Sequence, residues 1–93
     1  MNESKSVKIE ISNNTKKPLL LSLEPWGEDY TLLEQEEVEI IADDCGENFH
    51  YQVVFHENFV AVWADGGNEY PKVYKNGEEL DCGYNREFSP IKL

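Results

Sequence analysis

Between Lys17 and Lys72 the chain has no lysine or arginine at all. The same interval holds thirteen acids: Glu24, Glu28, Asp29, Glu34, Glu36, Glu37, Glu39, Asp43, Asp44, Glu47, Glu57, Asp65 and Glu69. Nucleic-acid binding depends on basic side chains that neutralise phosphates, so this gap argues against DNA and RNA as partners. Anionic membrane surfaces are disfavoured for the same reason. Long hydrophobic runs are also missing, and none approaches the roughly 18 residues that span a bilayer. The chain has only two cysteines, Cys45 and Cys82, and no C-x-x-C or H-x-x-x-H pair to pre-form half a zinc site. No phosphate loop, dinucleotide glycine pattern or nucleophile elbow is present. No segment carries helical periodicity over three turns.

What remains is a strongly acidic, aromatic-rich chain of 93 residues with a formal charge of −11. Forty per cent hydrophobic residues, with five Tyr, four Phe and two Trp, indicate a folded globule rather than an acidic tail. The length suits one domain, 1–93, and is too short for two independent cores. Met1-Asn2-Glu3-Ser4-Lys5 opens with charge rather than with a basic and then apolar leader, so the cytoplasm is the expected location.

The dominant period is two. Val7, Ile9 and Ile11 alternate with Lys8, Glu10 and Ser12, as in a half-buried strand. Asn13-Asn14-Thr15 supplies turn chemistry. Pro18 to Leu23 is apolar on both faces over Leu19 to Leu21, which suits a central strand. The turn Glu24-Pro25-Trp26-Gly27 stops it, because Pro25 lacks a backbone donor and Gly27 permits positive φ. Tyr30 and Leu32 then form a short strand, and Glu37 to Ala42 another, with Val38 and Ile40 inward. Asp43 to Asn48 reads as a loop. Tyr51, Val53 and Phe55 alternate, His56-Glu57-Asn58 connects, and Phe59 to Ala64 is strongly apolar. Asp65-Gly66-Gly67-Asn68 turns the chain again. Asn76-Gly77 is the sequence of a two-residue type I′ hairpin, setting Lys75 opposite Glu78 and Val73 opposite Leu80. Phe88 and Ile91 are expected to dock the tail. The pattern predicts an all-β, two-layer antiparallel β-sandwich of immunoglobulin-like or prealbumin-like type, with seven or eight strands.

Several clusters could carry chemistry. Asp44-Cys45-Gly46-Glu47-Asn48 is echoed by Asp81-Cys82-Gly83-Tyr84-Asn85, so two thiolates with His50 or His56 could bind zinc if the loops met. A disulfide is disfavoured in a reducing compartment. His50 and His56 lie at opposite ends of one strand, roughly 20 Å apart, and cannot share a metal. Asp43, Asp44 and Glu47, or Asp65 to Glu69, offer oxygen ligands for calcium, though neither fits the EF-hand spacing. No cofactor and no defined metal set follow from these residues. Trp63, in the apolar strand, is expected in the core or at a sheet end. Trp26 either plugs one end of the sandwich or stands out as an interface anchor; buried Trp with a partnered N–H is common, which favours the plug.

The run Leu21-Ser22-Leu23-Glu24-Pro25-Trp26-Gly27-Glu28-Asp29-Tyr30-Thr31-Leu32, followed by Val38-Glu39-Ile40 and later by Phe59 to Trp63, resembles a family of small uncharacterised bacterial proteins. The resemblance brings no activity with it. Many members have a Pro-Gly-Glu turn where this chain has Gln35-Glu36. Asn13-Asn14-Thr15 and Tyr30-Thr31-Leu32 are also similar to positions of the von Hippel–Lindau β-domain, which implies a sandwich by analogy and nothing about peptide binding.

The sequence therefore points to a non-enzymatic interaction module, with Trp26, Glu28, Asp29 and Tyr30 as the contact patch for a basic protein partner. An inhibitor or immunity-type role against a basic effector is one concrete form of this reading. The alternative is a metal-binding domain. A monomer and a dimer through an edge strand are both compatible with it.

Overall fold

The computed structural model describes residues 5–67 and 70–92. Asn68 and Glu69, which end the turn and the oxygen-ligand cluster expected at 65–69, and Met1 to Ser4 lie outside them. The chain forms eight strands: β1 Lys5–Ser12, β2 Leu19–Glu24, β3 Glu28–Leu32, β4 Glu37–Cys45, β5 His50–Phe55, β6 Phe59–Asp65, β7 Lys72–Lys75 and β8 Glu78–Glu79. A short 3₁₀ turn, Arg86–Phe88, follows. The strands build a two-layer β-sandwich, with order β1-β4-β7-β8 in one sheet and β3-β2-β6-β5 in the other. No helix among the described residues is long and apolar enough to cross a membrane.

Alternation decides which side chains meet between the layers. Val38, Ile40 and Val73 from the first sheet face Leu21, Leu23, Tyr30, Leu32, Val60 and Val62 from the second. β2 is central, flanked by β3 and β6. This explains why both of its faces are apolar: Leu20, on the outer side, is buried too. The sheets are not wholly antiparallel. β2 and β6 run parallel, from Leu20 opposite Phe59 to Glu24 opposite Trp63. A parallel pair needs a long crossover, and here the chain makes it through β3, β4 and β5.

The hairpin β7–β8 forms as its turn sequence predicts. Asn76 and Gly77 take φ of 51° and 83°, Lys75 pairs with Glu78, and the Leu80 N–H donates to the Val73 carbonyl at 2.8 Å. Other expectations shift. β4 continues through Asp43 and Asp44 to Cys45, so the acidic loop is shorter than its composition suggests. Trp63 is 40% exposed, on the outer face of β6, because Val60 and Val62 take the inward positions. Phe88 is exposed, whereas Ile91 lies half-buried beside Leu20 and Phe59.

Two polar nodes fix the ends of the strands. Asn13 is 1% exposed. Its amide donates to the carbonyls of Lys17, Leu32 and Leu33 at 2.8, 2.9 and 3.2 Å, and its side-chain oxygen accepts from the Thr15 N–H and hydroxyl. Its backbone bonds Glu36 and Gln35, which locks the turn 33–36 against the end of β1. That turn presents Glu36, whose carboxylate accepts from Lys75 Nζ, the Tyr84 hydroxyl, the Asn85 amide and the Leu33 N–H. Burial pushes the Glu36 carboxyl up, but these donors outweigh it and hold it below the usual range. Glu36 thus ties the β7 end to the C-terminal segment. The segment in turn lies along the β3 edge: the Thr31 N–H donates to the Tyr84 carbonyl at 2.8 Å, and the Gly83 N–H to the Asp29 carbonyl at 2.7 Å.

Candidate functional site

β2 ends at Glu24, a cis Glu24–Pro25 bond and Gly27 at φ 69° turn the chain, and β3 begins with Glu28 opposite Leu23. The turn projects past the end of the sandwich and carries Trp26 with it. Trp26 is 39% exposed, and its ring stacks on Tyr70 with centroids 4.8 Å apart and planes 14° from parallel. The expected end plug is therefore corrected: the indole lies on the surface, and the partner that covers one face of it is a second exposed aromatic.

Below this stack, Glu28 and Tyr30 project to the same side of β3. The Tyr30 hydroxyl donates to Glu28 Oε1 at 3.2 Å, and the Tyr70 hydroxyl donates to Glu28 Oε2. Both phenols resist ionisation. Tyr70 is pushed up to about 12 by its bond to Glu28, and Tyr30 is raised by burial first and by Glu28 second. They remain donors at neutral pH, orienting the carboxylate between two rings.

A cleft of about 320 Å³ opens beside them, walled by Glu28, Tyr30, Tyr70, Glu79, Asp81 and Cys82. Lys72 also borders it, with Nζ 3.8 Å from Glu79 Oε1. The cleft thus combines carboxylates with aromatic surface. Such a lining suits a cationic group, which gains both charge attraction and contact with ring faces.

Asp29 projects to the other side of β3 and is 7% exposed. Arg86 holds it with a two-pronged contact, Nε to Oδ2 at 3.0 Å and Nη2 to Oδ1 at 2.6 Å. The Cys82 thiol donates to the same Oδ1 at 3.5 Å. The Arg86 guanidinium is the main cause of the lowered Asp29 pKa, acting against desolvation. The four residues singled out in the sequence thus divide. Trp26 is exposed and reaches the cleft only through its stack on Tyr70, Glu28 and the 3% exposed Tyr30 line the cleft wall, and Asp29 is engaged by the C-terminal segment behind it.

Sequence reasoning missed Tyr70, Glu79 and Arg86 as members of this site. Cys82 was noticed only through its echo with Cys45. The two cysteines occupy different surroundings. Cys45 is buried with Ala42 and Phe49 and donates to the Ala42 carbonyl at 3.2 Å, while Cys82 is exposed beside Asp29. His50 faces Asp65 at 3.7 Å, and His56 stacks on Phe59, at opposite ends of β5. Among the described residues no group of three or more His, Cys, Asp or Glu converges on a point that could hold a metal ion.

The class defined by this geometry is an acidic β-sandwich with an aromatic-walled cleft at one end. No family model matches the chain, and no curated protein or solved structure matches it either.

Proposed function

We propose that the protein is a non-enzymatic interaction module that takes a basic protein partner at the Trp26–Tyr70 end of the sandwich. The observation that carries this reading is an exposed Trp26–Tyr70 stack whose Tyr70 bonds Glu28 and walls a cleft bordered by Glu79 and Asp81. A lysine or arginine of the partner would enter between the carboxylates and lie against the rings. Arginine suits the geometry better, because its planar guanidinium stacks on aromatic faces and forms paired hydrogen bonds to a carboxylate. The −11 charge adds long-range attraction, so association should be fast and salt-sensitive. Inhibition or neutralisation of a basic effector is one concrete form of the role.

The test uses an arginine-rich peptide and the fluorescence of Trp26 in a Trp63→Phe background. Binding should change the Trp26 emission, weaken steeply as the Debye length shrinks from about 10 Å at 0.1 M salt to about 3 Å at 1 M, and drop on Glu28→Gln. Binding that ignores salt, or that is unaffected by both Glu28→Gln and Trp26→Ala, would remove the site from consideration.

A further inference from the structure

A β-sandwich has four sheet edges, and each leaves backbone groups that another strand can pair with unless something prevents it. Three of the four are defended here, each with a basic side chain close by. β1 carries Lys5 and Lys8, and its register shifts between Lys5 and Val7. β8 is two residues long, and Lys72 of the neighbouring β7 lies 3.8 Å from its Glu79. β3 is covered by the Cys82 to Asn85 segment, which bridges in parallel to Tyr30 and is followed by Arg86, held on Asp29. The fourth edge, β5, has no such cover among the described residues.

β5 reads His50-Tyr51-Gln52-Val53-Val54-Phe55, with no lysine, arginine, proline or glycine. It pairs only with β6, in unbroken register from His50 opposite Asp65 to Phe55 opposite Val60. At the hairpin the His56 N–H donates to the Phe59 carbonyl at 2.8 Å, which sets the alternation along the pair. Val54, Gln52 and His50 therefore bond β6, while Tyr51, Val53 and Phe55 direct their N–H and C=O groups away from it. The two ends of the strand differ. At one, His50 lies 3.7 Å from Asp65, and Glu47 stands in the turn that enters the strand. At the other, Phe55 is 82% exposed beside a groove of about 400 Å³ shared with Leu19, Phe59 and Pro90, where Lys17 and Glu57 bring opposite charges.

Charge selects the occupant. The stretch 43–65, which contains β5 and its partner strand, holds Asp43, Asp44, Glu47, Glu57 and Asp65 and no lysine or arginine. A second copy of the chain would bring carboxylates against carboxylates, whereas a segment with basic residues beside His50 and Asp65 meets opposite charge.

We infer that β5 is an acceptor edge for an extended segment of another protein, apolar at its N-terminal end and basic at its C-terminal end. The added strand runs antiparallel to β5, the more stable of the two pairings. It bonds the outward backbone groups of Tyr51, Val53 and Phe55, sets its first residues against the Phe55 ring, and brings its last ones to the His50–Asp65 end. Main-chain pairing supplies affinity, and the unlike ends fix direction. This surface is separate from the Trp26–Tyr70 cleft, which borders β3 at the opposite edge of the same sheet.

The test is titration of the full chain with a short synthetic peptide of alternating valine and threonine, with leucine at its N-terminal end and lysines at its C-terminal end. Hydrogen exchange locates the contact. The expected result is binding below about 1 mM, with protection gained by the amides of Tyr51, Val53 and Phe55. The same peptide with glutamates in place of the lysines should bind at least about tenfold more weakly. Asp65→Asn should weaken the lysine peptide about threefold, and Phe55→Ala about fivefold; both positions are exposed, so the thermal melt should hardly move. Trp26→Ala must bind it as the native chain does, and a loss there would place the peptide in the cleft and overturn the inference. No binding up to about 1 mM overturns it too. So do equal affinities for the two peptides, binding that ignores both Asp65→Asn and Phe55→Ala, or protection gained outside β5. Protection of β5 that grows with protein concentration in the absence of peptide would give the edge to a second copy, and refute the charge argument.

Discussion

Asn13 offers the sharpest test of how this sandwich is held, because two near-identical substitutions there should behave very differently. Its side chain makes three donor and two acceptor contacts at 1% exposure. Not all of them are irreplaceable. The Leu33 carbonyl also accepts from the Glu36 N–H, and the Lys17 carbonyl from the Thr15 hydroxyl. The contact to the buried Leu32 carbonyl is the costliest to lose. At roughly 1 kcal/mol per net hydrogen bond and 1–3 kcal/mol for a buried group left unpaired, Asn13→Ala should cost about 2–4 kcal/mol. For a domain of this size that is roughly 10–25 °C in Tm. Asn13→Asp keeps the shape but turns the donor into an anionic oxygen facing three carbonyls. At pH 7 it should be worse than alanine by at least about 1 kcal/mol. The sign with pH follows. Thr15 still donates twice to one oxygen. Burial and the three carbonyls facing the other raise the folded pKa of the new carboxyl above its unfolded value, so the extra penalty is small in acid and grows as pH rises through about 4. Urea melts of both variants between acid and neutral pH measure this as a difference, which cancels the other carboxylates. An aspartate variant no less stable than alanine at pH 7 would refute the donor assignment, and an alanine cost below about 1 kcal/mol would refute the role of the node.

Three further outcomes are expected. Asp29 and Glu36 both have depressed folded pKa values, so each contributes stability that is full above its unfolded pKa near 4 and is lost as pH falls through the folded value; Glu36→Gln should flatten the acid limb of the stability profile, and an unchanged limb counts against the node. Thr31 is fully buried with a hydroxyl that has no hydrogen-bond partner among the described residues, so Thr31→Val should be neutral or stabilising by about 1 kcal/mol, and a loss larger than that in a urea melt would contradict this accounting. Cys82 is exposed and Cys45 buried, so a thiol reagent should modify one equivalent rapidly and the second only on unfolding; two fast equivalents would contradict the packing around Cys45.

The sequence made the layers legible wherever one face of a strand is polar. β1 and β4 alternate cleanly, and Asn76-Gly77 sets both its turn and its register, because these signals act between near neighbours. The ambiguous strand was β6, apolar on both faces, where Trp63 could not be assigned to a side without knowing that Val60 and Val62 face the other sheet. The parallel β2–β6 pair was not legible, since nothing local distinguishes a strand that will meet a parallel neighbour. Asn13 read as turn chemistry, and its burial depends on Leu32 and Leu33 arriving from 19 and 20 residues away. The site divided along the same line. The Trp26 corner and Glu28 were visible as a motif. Tyr70, Glu79 and Arg86 enter through tertiary approach, and Arg86 reaches Asp29 across 57 residues.

The C-terminal segment along β3 also carries an expectation about the order of assembly. Asn85 reaches the Thr31 carbonyl across 54 residues, and Tyr84 reaches Glu36 across 48. Loops of that length close late, after the local hairpins and the layers they form are in place. One wall of the cleft, at Asp81 and Cys82, belongs to this last-arriving piece, whereas Trp26 and Glu28 lie on a hairpin that can form early. A chain emerging from the ribosome would therefore present its aromatic corner well before it could enclose a guest. On the proposed reading, competence to bind would arrive only when the final strap has been laid down.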